Sequence, residues 1–521
     1  MPRALFSISG KNKMRKLLAI IICKFGYWVG GLIGKGSSYP GKIALKICPD
    51  ILSRIKYPPV VIAITGSNGK TSTTEMVSAI IKKAGLRLAY NDKGSNQVEG
   101  VTTTVLHYAT LGGVMKQDVL LLESDERYAK YSFKYFHPTH YVMTNLYRDQ
   151  LTRNAHPDWV LADIKRSVFG GECLILNADD PQISRFGYHA ENVKWFGLAH
   201  TDIDTTEFVG RYHDGYYCPI CHAPMEYDYY HYNHIGAYHC TKCDFKRAGA
   251  DYEVTAVDLE AGRIMIDGKE EISLAFKSIY NVYNILAAYS VCREIGIDSS
   301  LISTTLSDYI LKNGRFVQFE LGAHKGTFLV SKHENSVSYD MSLKYAAGGA
   351  DIAAAGIDSA AGGADIAPAS IDSAAGGADD AAASINNVAG GADDAPAGTD
   401  GTLTGSTAED SIAATGKKCS VMVIVDAISR KYFTSETSWL WDVNFELLNS
   451  DKVGKIYLCG KYAHDLMLRF EATDIPSERI SLYEDINAAC EFLRNNGDEY
   501  LYTVTCFSDR MKFLNNVTVR L

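Results

Sequence analysis

The chain is expected to be an α/β protein built on a parallel sheet, with a second α/β unit towards its C-terminal end. Three observations predict this. Between residues 60 and 310, short apolar runs rich in β-branched residues alternate with helix-like runs, the pattern of strand–helix–strand units. One such run, Val60–Thr65, leads straight into Gly66-Ser67-Asn68-Gly69-Lys70-Thr71 and then a helical pattern. A strand-like VMVIV at 421–425 restarts the alternation after a long Ala/Gly/Asp-rich interruption. The 521 residues are enough for about two to four domains, and 46% hydrophobic content is ample for their cores.

The elements follow in order. Residues 1–55 form an N-terminal segment. Its basic patch (Lys11, Lys13, Arg15, Lys16) precedes LLAIIICKFGYWVGGLIG. Lys24 interrupts the apolar run, which at 17–23 is far shorter than the roughly 20 residues of a spanning helix. A buried or interfacial helix is expected, with a signal peptide or short membrane anchor as the alternative. Residues 56–310 form the central domain. Its strands are expected at Val60–Thr65, Val119–Glu123, His140–Thr144 and Cys173–Asn177. Its helices are expected at Thr71–Ala84, Pro157–Val168 and Tyr280–Ile295. An aromatic, Cys-containing insert occupies 211–250. Residues 311–521 form the C-terminal domain.

That last domain is interrupted by AAGGADIAAAGIDS and three related units of 14 residues, within a low-complexity stretch at 346–416. Such Ala/Gly/Asp material lacks the large apolar side chains that offset ordering entropy, so a disordered insert is expected. The stretch also distorts the charge balance. It holds eleven acidic residues and no Lys or Arg, so the net charge of −9 leaves the rest of the chain at +2. A nearly neutral chain without a basic stripe argues against nucleic acid. The twelve cysteines sit in two CxxC pairs and in scattered apolar runs, which fits a reducing cytosol better than a disulfide scaffold.

Two motifs carry chemistry on their own. A Gly-rich turn at a helix N-terminus points backbone N–H groups at an anion, so Gly66, Ser67, Asn68, Gly69, Lys70, Thr71 and Ser72 are expected to cradle a nucleotide phosphate. Lys70 would reach the terminal phosphates and Thr71 would ligate Mg²⁺. The strict phosphate-loop pattern has Gly where this chain has Ile64, and an ordinary strand–turn–helix connection is the alternative. The second motif is Cys218-Pro-Ile-Cys221 with Cys240-Thr-Lys-Cys243. Two such knuckles close a tetrahedral S₄ site, so a structural Zn²⁺ is expected, with a redox pair or bare thiols as alternatives. His222 and His239 adjoin the cysteines but are not needed as ligands.

The variant TGSNGKT resembles the ATP loop of the Mur ligase family, and further segments resemble that family in order: LLLESDER with Glu123, TNLYRDQLTR at 144–153, LNADDP at 176–181, YNVYN at 280–284 and GR at 314–315. The resemblance implies a Mur ligase-like central ATPase domain. In it Glu123 and Thr71 hold Mg²⁺, Asn281 and Asn284 contact adenine, and Arg315 meets the terminal phosphate. It also implies that Lys165, sixteen residues beyond Asp149, is a candidate for carbamylation, although a lysine on an amphipathic helix is commonly just solvated. CPIC…YNHIGAYHCTKC, SWLWD at 438–442 and SSYPGK at 37–42 are similar to the MurT-type branch, and this resemblance covers nearly all the chain outside the repeat.

The branch implies ATP-dependent amidation of the D-glutamate α-carboxyl of lipid II, in peptidoglycan biosynthesis. Ammonia would come from a partner glutamine amidotransferase of the GatD type, and the work would be done in the cytoplasm at the inner membrane face. Lys70, Glu123 and Asp442 are then the expected catalytic residues. Asp442 would bind, orient or deprotonate ammonia, with a turn cap as the alternative. Lys332–Ser336 and the 426–437 stretch depart from the branch pattern, and the resemblance implies that these loops shape the acceptor pocket or the phosphate clamp. A single-chain amino-acid ligase and a catalytically impaired ATP-binding subunit are the competing functions.

Overall fold

A computed structural model describes residues 2–32, 37–91, 95–149, 157–310, 316–331, 334–348, 418–426, 436–506 and 509–519. Expectations for Arg315, for Lys332 and His333, for 427–435 and for the repeat from 349 onward lie outside the described residues.

The chain opens with helix α1 (Pro2–Leu32) and helix α2 (Tyr39–Ile47). The first sheet takes strands β1 (Val60–Thr65), β2 (Leu88–Tyr90), β3 (Val119–Glu123), β4 (His140–Met143), β5 (Cys173–Asn177) and β6 (Val193–Leu198), all parallel. Strands β7 (Met225–Tyr232) and β8 (Ile235–Cys240) form a separate hairpin. Strands β9 (Tyr252–Asp258), β10 (Arg263–Ile266) and β11 (Glu270–Ser273) extend the first sheet to nine strands in the order β11-β10-β9-β6-β5-β4-β1-β3-β2. The expected strands match these spans, apart from His140–Met143, which ends one residue early. The helices run Lys70–Lys83, Pro157–Lys165 and Ile279–Glu294, each within three residues of its expected ends.

The sequence of β1 explains its place. It is buried at all but its first position, and β3 is buried throughout, because a parallel strand covered on both faces is apolar at every residue. Its alternate residues feed two cores. Ile62 and Ile64 pack with helices Lys70–Lys83 and Ile279–Glu294, while Val61 and Ala63 pack on the side of α1 and α2.

The second sheet takes β12 (Phe316–Leu321), β13 (His324–Ser331), β14 (Cys419–Ile424), β15 (Val453–Cys459), β16 (Ile480–Tyr483), β17 (Leu501–Cys506) and β18 (Thr518–Val519), in the order β16-β15-β14-β17-β13-β12-β18. Its β14 likewise sends Val421 and Val423 to one core and Met422 and Ile424 to another. The helix after β13 runs Ser336–Gly348, with Ala346 and Ala347 buried. The first three residues assigned by sequence to the low-complexity stretch therefore close a core helix, because two alanines facing an apolar wall bury as well as any small residue. Val337, on the same helix, packs into the central-domain core and ties the two domains together.

Candidate active site

The phosphate loop leaves the C-terminal end of β1, between the ends of β3 and β4. Segments from three strands converge there, as ligand crevices do in open α/β sheets. Two glycines make the loop possible. Gly66 has φ +136°, and a Cβ on it would meet Thr144 Oγ1 at 2.2 Å. Gly69 has φ +83°, and a Cβ on it would meet Asn284 Oδ1 at 2.0 Å. Any larger residue would clash with the neighbour and strain the backbone.

The loop is stapled to the 144–147 segment. Ser67 N donates to Asn145 O (2.9 Å), Asn68 N to Asn145 Oδ1 (2.8 Å), and Thr144 Oγ1 to Asn68 O (2.8 Å). The amides of Ser67 and Asn68, expected to face a phosphate, are thus engaged by Asn145. The first-turn amides of the helix beginning at Lys70 have no intrahelical acceptor and remain suited to an anion. Lys70 Nζ donates to Gly66 O and pairs with Glu126 Oε1 at 2.9 Å. Burial works against its charge, but Glu126, Asp149 and Glu123 outweigh that and hold the ammonium above the ordinary lysine value. Glu123 itself is buried at the end of β3 and accepts from Asn96 Nδ2 at 3.1 Å. Thr71 is exposed at the start of the helix.

The C-terminal domain closes over this loop. Asn335, wholly buried, donates from Nδ2 to Asp149 Oδ1 (3.0 Å) and exchanges amide contacts with Asn68 at 3.2 and 3.3 Å. Its Oδ1 also accepts from Ser338 N (2.8 Å), so the residue that caps its own helix grips the phosphate loop. Asp442 ends the 3₁₀ turn Ser438–Asp442 and is half-buried. Burial raises its carboxyl above the ordinary range. Arg148 and a hydrogen bond with Tyr212 oppose that rise, and Asp214 adds to it. Arg148 donates to Asp214 from Nε (2.8 Å) and from its backbone N (3.0 Å), and its guanidinium lies 4.4 Å from the Tyr212 ring centroid. Asp442 therefore meets the central domain at residues of the 144–149 segment and of the 211–250 insert. Arg211–Glu446 (3.0 Å) adds a second bridge between insert and C-terminal domain.

The insert folds as a ribbon. The four Sγ atoms of Cys218, Cys221, Cys240 and Cys243 lie within 4.8 Å of one another. Amides of Ile220, Lys242 and Cys243 approach the sulfurs at 3.3–3.4 Å. Four thiols so gathered, with amide donors to stabilise thiolates, fit Zn²⁺ and leave no position open for catalysis. His222 is exposed and His239 pairs with Glu226 at 3.2 Å, so neither joins the cluster. The LNADDP aspartates hold the ribbon. Asp179 accepts from Arg247 Nε (2.6 Å), Tyr283 OH (2.6 Å) and Leu198 N (2.8 Å), and Asp180 caps the turn of helix that follows it.

For a nucleotide base, Asn281 offers a buried Oδ1 with no protein partner, while its Nδ2 donates to Phe276 O at 3.0 Å. An orphaned acceptor of this kind fits an exocyclic amine. Asn284, also expected at the base, stands against Gly69 at the loop. Lys165 is exposed at the last turn of Pro157–Lys165, and among the described residues no hydrogen bond joins it to the loop. Sequence reasoning did not assign Glu126 or Asn145 to the site, and it gave the loop that holds Asn335 a place at the acceptor pocket or phosphate clamp without singling out that residue. Glu126 had the spacing signal of LLLESDER, whereas Asn335 lies in a segment that departs from the branch pattern and left no motif to read.

Known proteins resemble this chain in sequence and in fold. Residues 64–292 match the family model for the Mur ligase middle domain, and residues 396–509 match that for the MurT ligase C-terminal region. The chain is 31% identical over 336 residues to the lipid II isoglutaminyl synthase (glutamine-hydrolyzing) subunit MurT of Staphylococcus aureus strain COL, covering 63% of this chain and 75% of that protein. It is 24% identical over 517 residues to the subunit of the same description in Streptococcus pneumoniae R6, covering 96% of each. The fold is similar to that of a pseudomurein peptide ligase type C from Methanothermus fervidus, with TM-score 0.59 and 17% identity over 89% of this chain and 79% of that one. It is also similar to MurF from Acinetobacter baumannii, with TM-score 0.54 and 14% identity over 91% and 80%.

Proposed function

The chain belongs to the MurT-type branch of the Mur ligases, and from that premise we propose that it is the synthase subunit of a lipid II isoglutaminyl synthase. It would use ATP to convert the D-glutamate α-carboxyl of lipid II into the amide of D-isoglutamine. The substrate carboxylate attacks the γ-phosphorus of ATP and ADP leaves, giving an acyl phosphate. Ammonia from a GatD-type amidotransferase partner then attacks the acyl carbon, and inorganic phosphate departs with the C–O electron pair.

The chain's residues divide this work. First-turn amides of residues 69–72 and the Lys70 ammonium hold the phosphates, and Asn281 accepts from the base. Thr71 and Glu123 would hold Mg²⁺, which neutralises phosphate charge. Arg315, outside the described residues, is expected at the terminal phosphate from the family resemblance alone. Glu126 keeps Lys70 charged and in place until a phosphate competes for it. Ammonia is mostly ammonium near neutral pH, so it needs a base. Asp442, with its carboxyl raised by burial, takes that proton or orients the nucleophile. The ribbon carries Tyr212 and Asp214, which set Arg148 and Asp442, so its Zn²⁺ has a structural role.

The observation that carries this reading is the grip of Asn335 on Asn68, which places the C-terminal domain directly over the phosphate loop. ATP hydrolysis should be measured with lipid II, glutamine and the partner subunit, each omitted in turn. Turnover that needs all three supports the proposal. Turnover that needs a free amino acid identifies a single-chain ligase, and none under any condition identifies an inactive nucleotide-binding subunit.

A further inference from the structure

Helix α1 has two apolar faces, and only one of them is used. Ala19, Ile20 and Cys23 are fully buried in the core shared with α2 and the helix Val98–Tyr108. Lys16 Nζ donates to Gly112 O (2.8 Å) and Lys24 Nζ to His107 O, which fixes the rotation of α1 on the domain. On the opposite side Met14, Leu17, Leu18, Ile21, Phe25, Trp28 and Leu32 are 41–73% exposed. Their spacing of 3, 1, 3, 4, 3 and 4 residues keeps all seven within one stripe of a 3.6-residue helix. Seven large apolar side chains in a row exceed the scattered exposure ordinary for a soluble surface.

The charges say what would cover the stripe. Residues 2–32 contain six Lys or Arg and no Asp or Glu. Lys13 and Arg15 are exposed on either flank of Met14, while Phe25 and Trp28 stand together near the other end, ring centroids 6.1 Å apart. An apolar stripe with basic flanks and an indole is the composition of a helix lying in a membrane interface. None of the described helices is long and apolar enough to cross a membrane, so α1 would lie on the surface and not span it. We propose that α1 docks this protein on an anionic lipid surface, with Met14, Leu17, Leu18, Ile21, Phe25, Trp28 and Leu32 entering the headgroup–acyl boundary and Lys13 and Arg15 meeting lipid phosphates. This surface suits the lipid-linked acceptor proposed above but is argued from α1 alone.

The test is co-sedimentation of the full chain with vesicles that contain no lipid II. Vesicles rich in phosphatidylglycerol should retain the protein. Phosphatidylcholine vesicles should retain at least tenfold less, as should phosphatidylglycerol vesicles in high salt. Ile21→Glu with Phe25→Glu should lower retention at least tenfold, and Lys13→Glu with Arg15→Glu should lower it on anionic vesicles. Both variants should keep the wild-type thermal unfolding midpoint, since these side chains face away from the core. Retention equal in variants and wild type overturns the proposal, as does absence of retention on any vesicle. A wild-type dimer that Ile21→Glu with Phe25→Glu converts to monomer, without vesicle binding, also overturns it and assigns the stripe to a second copy of this chain.

Discussion

At the residue scale, Lys70 carries the sharpest consequence. It forms a buried pair with Glu126, so Lys70→Ala removes the proposed phosphate contact and also leaves a buried carboxylate without its lysine. Amidation should be abolished, and stability should fall by on the order of 3 kcal/mol. Adding Glu126→Gln should restore much of that stability without restoring activity. Urea unfolding beside an amidation assay separates the two effects. An active Lys70→Ala would contradict the loop assignment. Asp442→Asn keeps shape and loses the proposed base. Amidation should drop roughly 100- to 10,000-fold while ATP affinity persists. Near-normal amidation would make Asp442 only a turn residue, and loss of ATP binding in step with activity would place it in the nucleotide site. The loop glycines, Lys70 and the four cysteines were legible because each motif is contiguous or regularly spaced. Asn335 was not, since its role depends on two domains meeting, and no local pattern encodes a contact between residues 68 and 335.

At the scale of elements, the ribbon and the helix Ser336–Gly348 make separate predictions. The ribbon has a small core of its own (Cys218, Met225, Tyr238, Cys240 and Phe245), and a Zn²⁺ held by its four gathered cysteines is expected to close it. About one Zn²⁺ per chain should be found, and Cys218→Ser should lose both metal and solubility. Metal-free protein that is folded and active would contradict the structural role. On the helix, Asp340 accepts from Asn444 N at 2.7 Å. Burial chiefly, with Glu446 and Asp442 adding and the Asn444 amide opposing, pushes its carboxyl up to about 7 from the ordinary 3.8. The folded state therefore holds a proton that the unfolded chain releases. Its stabilising effect is full below 3.8 and is lost as pH rises through about 7. Asp340→Asn keeps the acceptor and cannot ionise. Its midpoint of thermal unfolding should fall less than that of wild type between pH 5 and pH 8. Equal slopes would show that Asp340 does not ionise in that range. The four central-domain strands read from the sequence were legible to within one residue because both faces of those parallel strands are apolar, and the three helices to within three. The end of the last repeat-side helix was not, since Ala346 and Ala347 look alike whether packed or solvated.

At the scale of the whole molecule, the proposed function rests on the C-terminal domain meeting the phosphate loop. Asn335→Asp would set a carboxylate against Asp149, and like charges so close cost several kcal/mol. The domains should separate, raising the radius of gyration in solution scattering, with amidation reduced at least about tenfold. An unchanged radius and rate would mean that closure does not depend on this contact. Deleting 349–416 behind a short linker should spare ATP affinity and most activity, because the repeat's composition cannot build a core. The central claim is that this chain makes an amide from ammonia and not from an amino acid. It is tested most directly by incubating it with lipid II, ATP, the partner amidotransferase and glutamine labelled at the amide nitrogen, then analysing the lipid II by mass spectrometry. The account predicts one labelled nitrogen at the α-carboxyl of D-glutamate, formed only with ATP. Unlabelled lipid II, or lipid II extended by a whole amino acid, would contradict it.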